Sequence, residues 1–94
     1  MRVRWLRRAL RNLDEEAEYI ARDNPQAAAR IVARIAASVD WLANHPASGR
    51  SGRVPGTREL VISGTPYIVP YRVRGETVEI LRIFHAARKW PENF

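Results

Sequence analysis

Polar and apolar residues alternate through Arg2-Val3-Arg4-Trp5-Leu6, which suits a short strand. From Leu6 the period lengthens. Leu6, Leu10, Leu13, Ala17 and Ile20 recur every three or four residues and predict an amphipathic helix over 7–22. Asp23-Asn24-Pro25 interrupts it. Asn24 is a good N-cap, and Pro25 fits a first helical position, where no N–H is needed. Ala28, Ile31, Val32, Ile35, Val39 and Leu42 then form the apolar stripe of a second helix over 25–43. Its many alanines make it strongly helical and thin, so two helices joined this tightly should form an antiparallel hairpin.

Residues 44–57 hold two Pro and three Gly and read as a loop. Three strands follow, Arg58–Ile62, Tyr67–Arg74 and Thr77–Phe84, separated by Ser63-Gly64-Thr65-Pro66 and by Gly75-Glu76. Tyr67, Val69, Tyr71 and Val73 should share one face of the second of these. The near-continuous apolar run in the third suggests a strand covered on both faces. Pro70 cannot donate to a sheet ladder, so a bulge or an unpaired edge is expected beside it. The order β-α-α-β-β-β describes an α+β fold, a helical hairpin packed on a small, mainly antiparallel sheet. Residues 1–94 are few enough for a single domain.

Composition narrows the chemistry. The chain has no cysteine, which removes disulfides, zinc–thiolate sites and thiol catalysis. No apolar run approaches the ~20 residues of a membrane span. No apolar leader segment follows Arg2, so the cytoplasm is the expected compartment. The formal net charge is +6, and fifteen of the 16 basic residues are Arg, Lys89 being the exception. Such a surface attracts polyanions or an acidic partner. Arg50, Arg53 and Arg72 are candidate partner-binding side chains. Arg50 and Arg53 sit in the Gly/Pro/Ser loop, where substitutions usually cost little stability.

There is no phosphate-binding glycine loop, no dinucleotide fingerprint and no paired-histidine metal motif. His45 and His85 are 40 residues apart, with no carboxylate at ligand spacing, so no metal or other cofactor is expected. One constellation remains at the end of the last strand, Arg82-Ile83-Phe84-His85-Ala86-Ala87-Arg88. A histidine among Arg82, Arg88 and the neighbouring-strand residues Arg58 and Arg72 could shuttle a proton beside a bound phosphodiester. Spacing alone favours a plainer role, a histidine that closes the sheet by bonding a backbone carbonyl, with solvated arginines around it. Alternation also puts Arg82 and His85 on opposite faces.

Three longer segments carry a resemblance. They are Gly49-Arg50-Ser51-Gly52-Arg53-Val54-Pro55-Gly56-Thr57-Arg58-Glu59-Leu60-Val61, Thr65-Pro66-Tyr67-Ile68-Val69-Pro70-Tyr71-Arg72-Val73, and Ile80-Leu81-Arg82-Ile83-Phe84-His85-Ala86-Ala87-Arg88-Lys89-Trp90-Pro91. With Asn24-Pro25 opening an Ala-rich helix, they resemble the RelE/ParE superfamily of bacterial type II toxins. The resemblance implies the same β-α-α-β-β-β architecture, a cognate antitoxin of ParD-like or RelB-like type, and growth arrest by the free toxin. The RelE-like branch cuts mRNA on ribosomes without metal, by driving a 2′-hydroxyl onto the adjacent phosphate. The ParE-like branch is associated with poisoning of DNA gyrase. Where the RelE-like pattern has an arginine in its Tyr-Arg-Leu-Val-Tyr strand, this chain has Ile68. An aliphatic side chain cannot offset charge developing on a phosphate. The resemblance therefore points to the ParE-like branch. Under the nuclease alternative, His85 would be the proton shuttle and Arg58, Arg82 and Arg88 the phosphate clamps. A third reading is a weakly toxic member that mainly binds its antitoxin.

Overall fold

The computed structural model describes residues 1–91 and 94. The chain runs β1 (Arg2–Trp5), α1 (Arg7–Ala21), α2 (Pro25–Trp41), β2 (Arg50–Ser51), β3 (Arg58–Val61), β4 (Tyr67–Arg74), β5 (Thr77–Ile80) and β6 (Phe84–His85). One mixed sheet has the order β1-β5-β4-β3-β2, with β6 also paired to β4. Only the β1–β5 pairing is parallel among the described residues, and the helical hairpin packs on one face. This is the α+β sandwich expected from the pattern, with two short strands more: β2, and β6, which is split from the predicted strand 77–84. The Asn24 side chain caps α2 by accepting the Ala27 N–H at 3.0 Å.

Tyr71, Ile35, Val39, Leu42, Ile62, Val69, Val78 and Ile80 are fully buried at the centre. The stripe of α2 matches the expected one. That of α1 is rotated: Ala9 is buried and Leu10 is exposed, so Leu13, Glu16 and Ile20 face inward with Ala9. This rotation brings a carboxylate, Glu16, to the edge of the core. Val73 is likewise exposed, at the far end of β4 from the buried Tyr67, Val69 and Tyr71 on the same face.

The third predicted strand is broken. Tyr71 pairs with Ile80 but Ile68 pairs with Phe84, so Val69 and Pro70 face three residues, Leu81, Arg82 and Ile83. Pro70 is the cause. Its carbonyl accepts the Leu81 N–H at 3.0 Å, so its missing N–H falls on that same side of β4. The ladder has no donor there, and a bulge absorbs the gap. Asn12 of α1 steadies the bulge, its side-chain oxygen accepting the Ile83 N–H at 3.1 Å. The bulge also resets which side chains face the helices: His85 pairs with Tyr67 and lies on the core side.

The segment predicted as loop 44–57 is tied down. Tyr71 Oη donates to the Pro46 carbonyl and accepts the Gly49 N–H, both at 2.8 Å. Arg50–Ser51 pairs with β3, and the Gly52 N–H donates to the Thr57 carbonyl at 2.9 Å.

Candidate functional site

On the sheet face away from the helices, two glutamates organise most of the nearby arginines. Glu59 is buried and opposite Arg50 in the β2–β3 register. Its carboxylate accepts from Arg50 Nε and Nη2 at 3.2 and 3.1 Å, and from the Arg53 backbone N–H and Nε at 2.9 and 3.1 Å. The Arg53 guanidinium lies 3.6 Å over the Trp90 ring, which packs 4.7 Å from Phe84. Glu79 is the second centre. Arg4 of β1 and Arg72 of β4 are its cross-strand neighbours; Arg72 Nε donates to it at 2.7 Å, and the Arg74 guanidinium lies 3.7 Å away as an ion pair without a hydrogen bond. Arg50, Arg53 and Arg72, the candidate partner-binding side chains, are therefore also engaged within the fold. The loop position of Arg50 and Arg53 gives no sign of this, because Glu59 reaches them only through the strand register.

Burial alone would raise the Glu59 carboxyl. The Arg53 backbone N–H and the Arg50 and Arg53 guanidiniums outweigh it and hold the carboxyl below its usual range. The Arg72 hydrogen bond, against a smaller desolvation, lowers Glu79 in the same direction.

Of the proposed catalytic set, Arg88 stays beside His85, its backbone N–H donating to the His85 carbonyl at 3.0 Å, while Arg58 is remote. Arg58 pairs with Tyr71, four residues along β4 from the Tyr67–His85 pair, or about 13 Å at ~3.3 Å per residue. Its guanidinium donates to the Gly49 and Ala47 carbonyls at 2.9 and 3.3 Å. Arg88 donates to Glu16 at 2.6 Å. Arg82 instead lines a cavity with Arg7, Arg8 and Arg72. Ile68, at the position that differs from the nuclease pattern, is buried and pairs with Phe84.

His85 instead has neighbours the sequence did not indicate. Its ring meets Tyr67 edge-on at 5.6 Å between centroids. Tyr67 Oη donates to Glu16 at 2.9 Å, and the other Glu16 oxygen takes Arg88. The His85 Nδ1 accepts the Ala87 N–H at 3.2 Å, which leaves Nε2 to carry the proton of the neutral ring. The carbonyl of His85 accepts the Trp90 indole N–H at 3.4 Å. The histidine thus closes the sheet, by accepting rather than by donating to a carbonyl. Burial, then the Glu16 bond, push the Tyr67 hydroxyl up to about 12. These contacts staple the chain end to α1 across more than 50 residues. Only the rotated stripe of α1 makes them possible.

Comparison with known proteins decides the family. Residues 3–90 match the family described as ParE toxin of type II toxin-antitoxin system, parDE. The chain belongs to the ParE toxin family. It is 57% identical over 91 residues to "Putative toxin Y4kP" of Sinorhizobium fredii, covering 97% of this chain and 94% of that one. It is 41% identical to Toxin RelE2 of Caulobacter vibrioides over 86 residues, 92% of this chain and 96% of that one. Its fold is similar to a chain of the chromosomal ParDE TA system from P. aeruginosa, with a TM-score of 0.81 and 33% identity over 90% of this chain and 95% of that one. The superfamily and fold read from the three sequence segments are thereby established. None of the described helices of the toxin is long and apolar enough to cross a membrane.

The titrations set a pH dependence for this ParE-family fold. Both Glu59 and Glu79 titrate below the ordinary carboxylate value of 4.5 in the folded chain. Their stabilisation is present above that value and is lost as pH falls through the lower folded values. Tyr67 rises from 10.0 to about 12, so the unfolded chain ionises first and stability falls as pH rises across that interval. Thermal melts should be flat between about pH 5 and 9 and fall on both sides. Glu59→Gln and Glu79→Gln should flatten the acid limb, and Tyr67→Phe the alkaline one. An acid limb unchanged in both glutamine variants would show that other groups control it.

Proposed function

We propose that this toxin arrests growth as a ParE-like poison of DNA gyrase in the bacterial cytoplasm, and that a cognate antitoxin neutralises it. The observation that supports this reading is that the candidate phosphate clamps Arg58 and Arg88 are engaged within the fold, Arg58 far from His85. A ribonuclease must gather its proton-transfer group and its phosphate clamps within hydrogen-bond reach of one phosphate. Here Arg58 is spent on loop carbonyls, Arg88 on Glu16, and Ile68 supplies no charge. Blocking a topoisomerase requires no such convergence.

The antitoxin is expected to be acidic to neutral, as the +6 charge requires. An amphipathic segment of it would cover exposed Trp41 and Val61, which border a groove with Ala37, Ser38 and Leu60 between α2 and β3.

His85→Ala tests the mechanism. The folded, antitoxin-bound variant should keep growth arrest and still inhibit gyrase supercoiling in vitro. A nuclease would lose roughly 10²–10⁴-fold in cleavage rate with its general acid or base. Loss of arrest by that variant, with the parent protein cutting mRNA on ribosomes, would replace the gyrase reading with the nuclease one. A parent protein inactive in both assays but bound to its antitoxin would leave only the binding role.

A further inference from the structure

Beyond both target readings, the toxin carries a cavity of which the nuclease alternative uses only Arg82. It has a volume of about 660 Å³ and is bounded by Leu6, Arg7, Arg8, Arg72, Leu81 and Arg82, with the 54–57 turn along one side. Most other clustered arginines of this fold surround a glutamate. Here the arrangement differs. Arg72 is held by Glu79, but no carboxylate among the described residues lies within salt-bridge distance of Arg7, Arg8 or Arg82. Like charges are thus gathered around one space with no ion-paired carboxylate among the described residues. Part-burial of Arg82, and then the charge of Arg8, lower the Arg82 guanidinium from its ordinary value. A fold tolerates such repulsion most readily where an anion relieves it. The start of α1 borders the same space. Its first turn holds no acidic residue, and Leu6 offers no side-chain cap, so its leading N–H groups add positive potential.

The walls indicate what kind of anion fits. Leu6, Leu81 and the Val54-Pro55 side of the turn are apolar, and the volume is in the range of about 300–1,000 Å³ typical of small-molecule sites. Guanidiniums match phosphate oxygens in geometry, and Arg also stacks on flat rings. A single carboxylate would satisfy only one of the three charges left unpaired among the described residues. We propose that this cavity is a nucleotide site, in which Arg7, Arg8 and Arg82 hold phosphate and the Leu6–Leu81 wall receives the base or sugar. The nucleotide could be free or part of a single nucleic-acid strand, and the chemistry is shared.

The test is equilibrium binding to the purified full chain, followed by calorimetry at near-physiological salt. The probes are ADP, adenosine, tripolyphosphate, a six-residue oligothymidylate and a hexaglutamate peptide. ADP or the oligothymidylate should bind more tightly than adenosine and than hexaglutamate, and tripolyphosphate should compete. Binding of ADP without the oligonucleotide assigns a free nucleotide, and binding of the oligonucleotide assigns a strand. Arg8→Ala and Arg82→Gln should each weaken binding about tenfold, the loss of one charge-assisted contact. Arg30→Ala on exposed α2 should leave it unchanged. Arg8 is exposed, so its variant carries the test should Arg82→Gln unfold. Binding that Arg8→Ala leaves intact, hexaglutamate binding as tightly as ADP, or no binding by either nucleotide probe would overturn the proposal.

Discussion

Gly49→Ala is expected to destabilise the toxin by about 3 kcal/mol, a fall in melting temperature of roughly 12–24 °C for a domain of this size. The backbone at Gly49 is not in the left-handed region, so the cause is space alone. A methyl group there would sit 2.6 Å from Cε1 and Oη of Tyr71 and 3.0 Å from the Glu59 carbonyl. Tyr71 is fully buried and cannot swing away. Either the ring shifts into the core or the 46–49 segment lifts off. Lifting would also break the bonds from Tyr71 to Pro46 and Gly49. Gly75→Ala is the comparison. It stands at φ +60 with nothing near its added methyl, so only the dihedral cost of about 1–2 kcal/mol applies. Equal melting shifts for the two variants would mean that Tyr71 does not pin the loop as described.

The second large effect is expected at Glu59. Glu59→Ala should cost about 2–4 kcal/mol, judged by chemical denaturation. Breaking a buried ion pair costs more than this when both charges are buried, but the Arg50 and Arg53 heads are about half exposed and can rehydrate. What they cannot recover is the anchor: the carboxylate also accepts the Arg53 backbone N–H and holds the guanidinium over Trp90. Arg53→Glu should therefore cost more than the half kcal/mol usual for a surface loop. A double-mutant cycle between Glu59→Ala and Arg53→Ala should show positive coupling. Strict additivity would mean that the loop is held by its hydrogen bonds to Tyr71 alone. The consequence for function is direct. A weakened partner contact in an Arg50 or Arg53 variant reports on binding only after the fold has been shown intact.

The two helices, their junction at Asn24-Pro25, three of the strands and the α+β class are legible along the chain because each rests on local periodicity or local turn chemistry. The irregularity near Pro70 is legible for the same reason, since a missing donor is a property of the residue itself. Which strand would bulge is not, because the gap opens wherever Pro70 turns its empty side, and that depends on pairing with residues 81–83. The rotation of α1 that exposes Leu10 and turns Glu16 inward is also a tertiary outcome. Leu10 and Ala9 both fit a helical stripe, and contact with the sheet and α2 chose between them.

The candidate site follows the same division. Sequence by itself determined the toxin family, through segments at 49–61, 65–73 and 80–91, and the excess of arginine. Tertiary structure decided which arginines are spent. Glu59 meets Arg50 and Arg53, and Glu79 meets Arg4, Arg72 and Arg74, through strand registers and the course of the loop. Charge attraction acts across whatever distance the fold leaves, and sequence separation does not measure that distance.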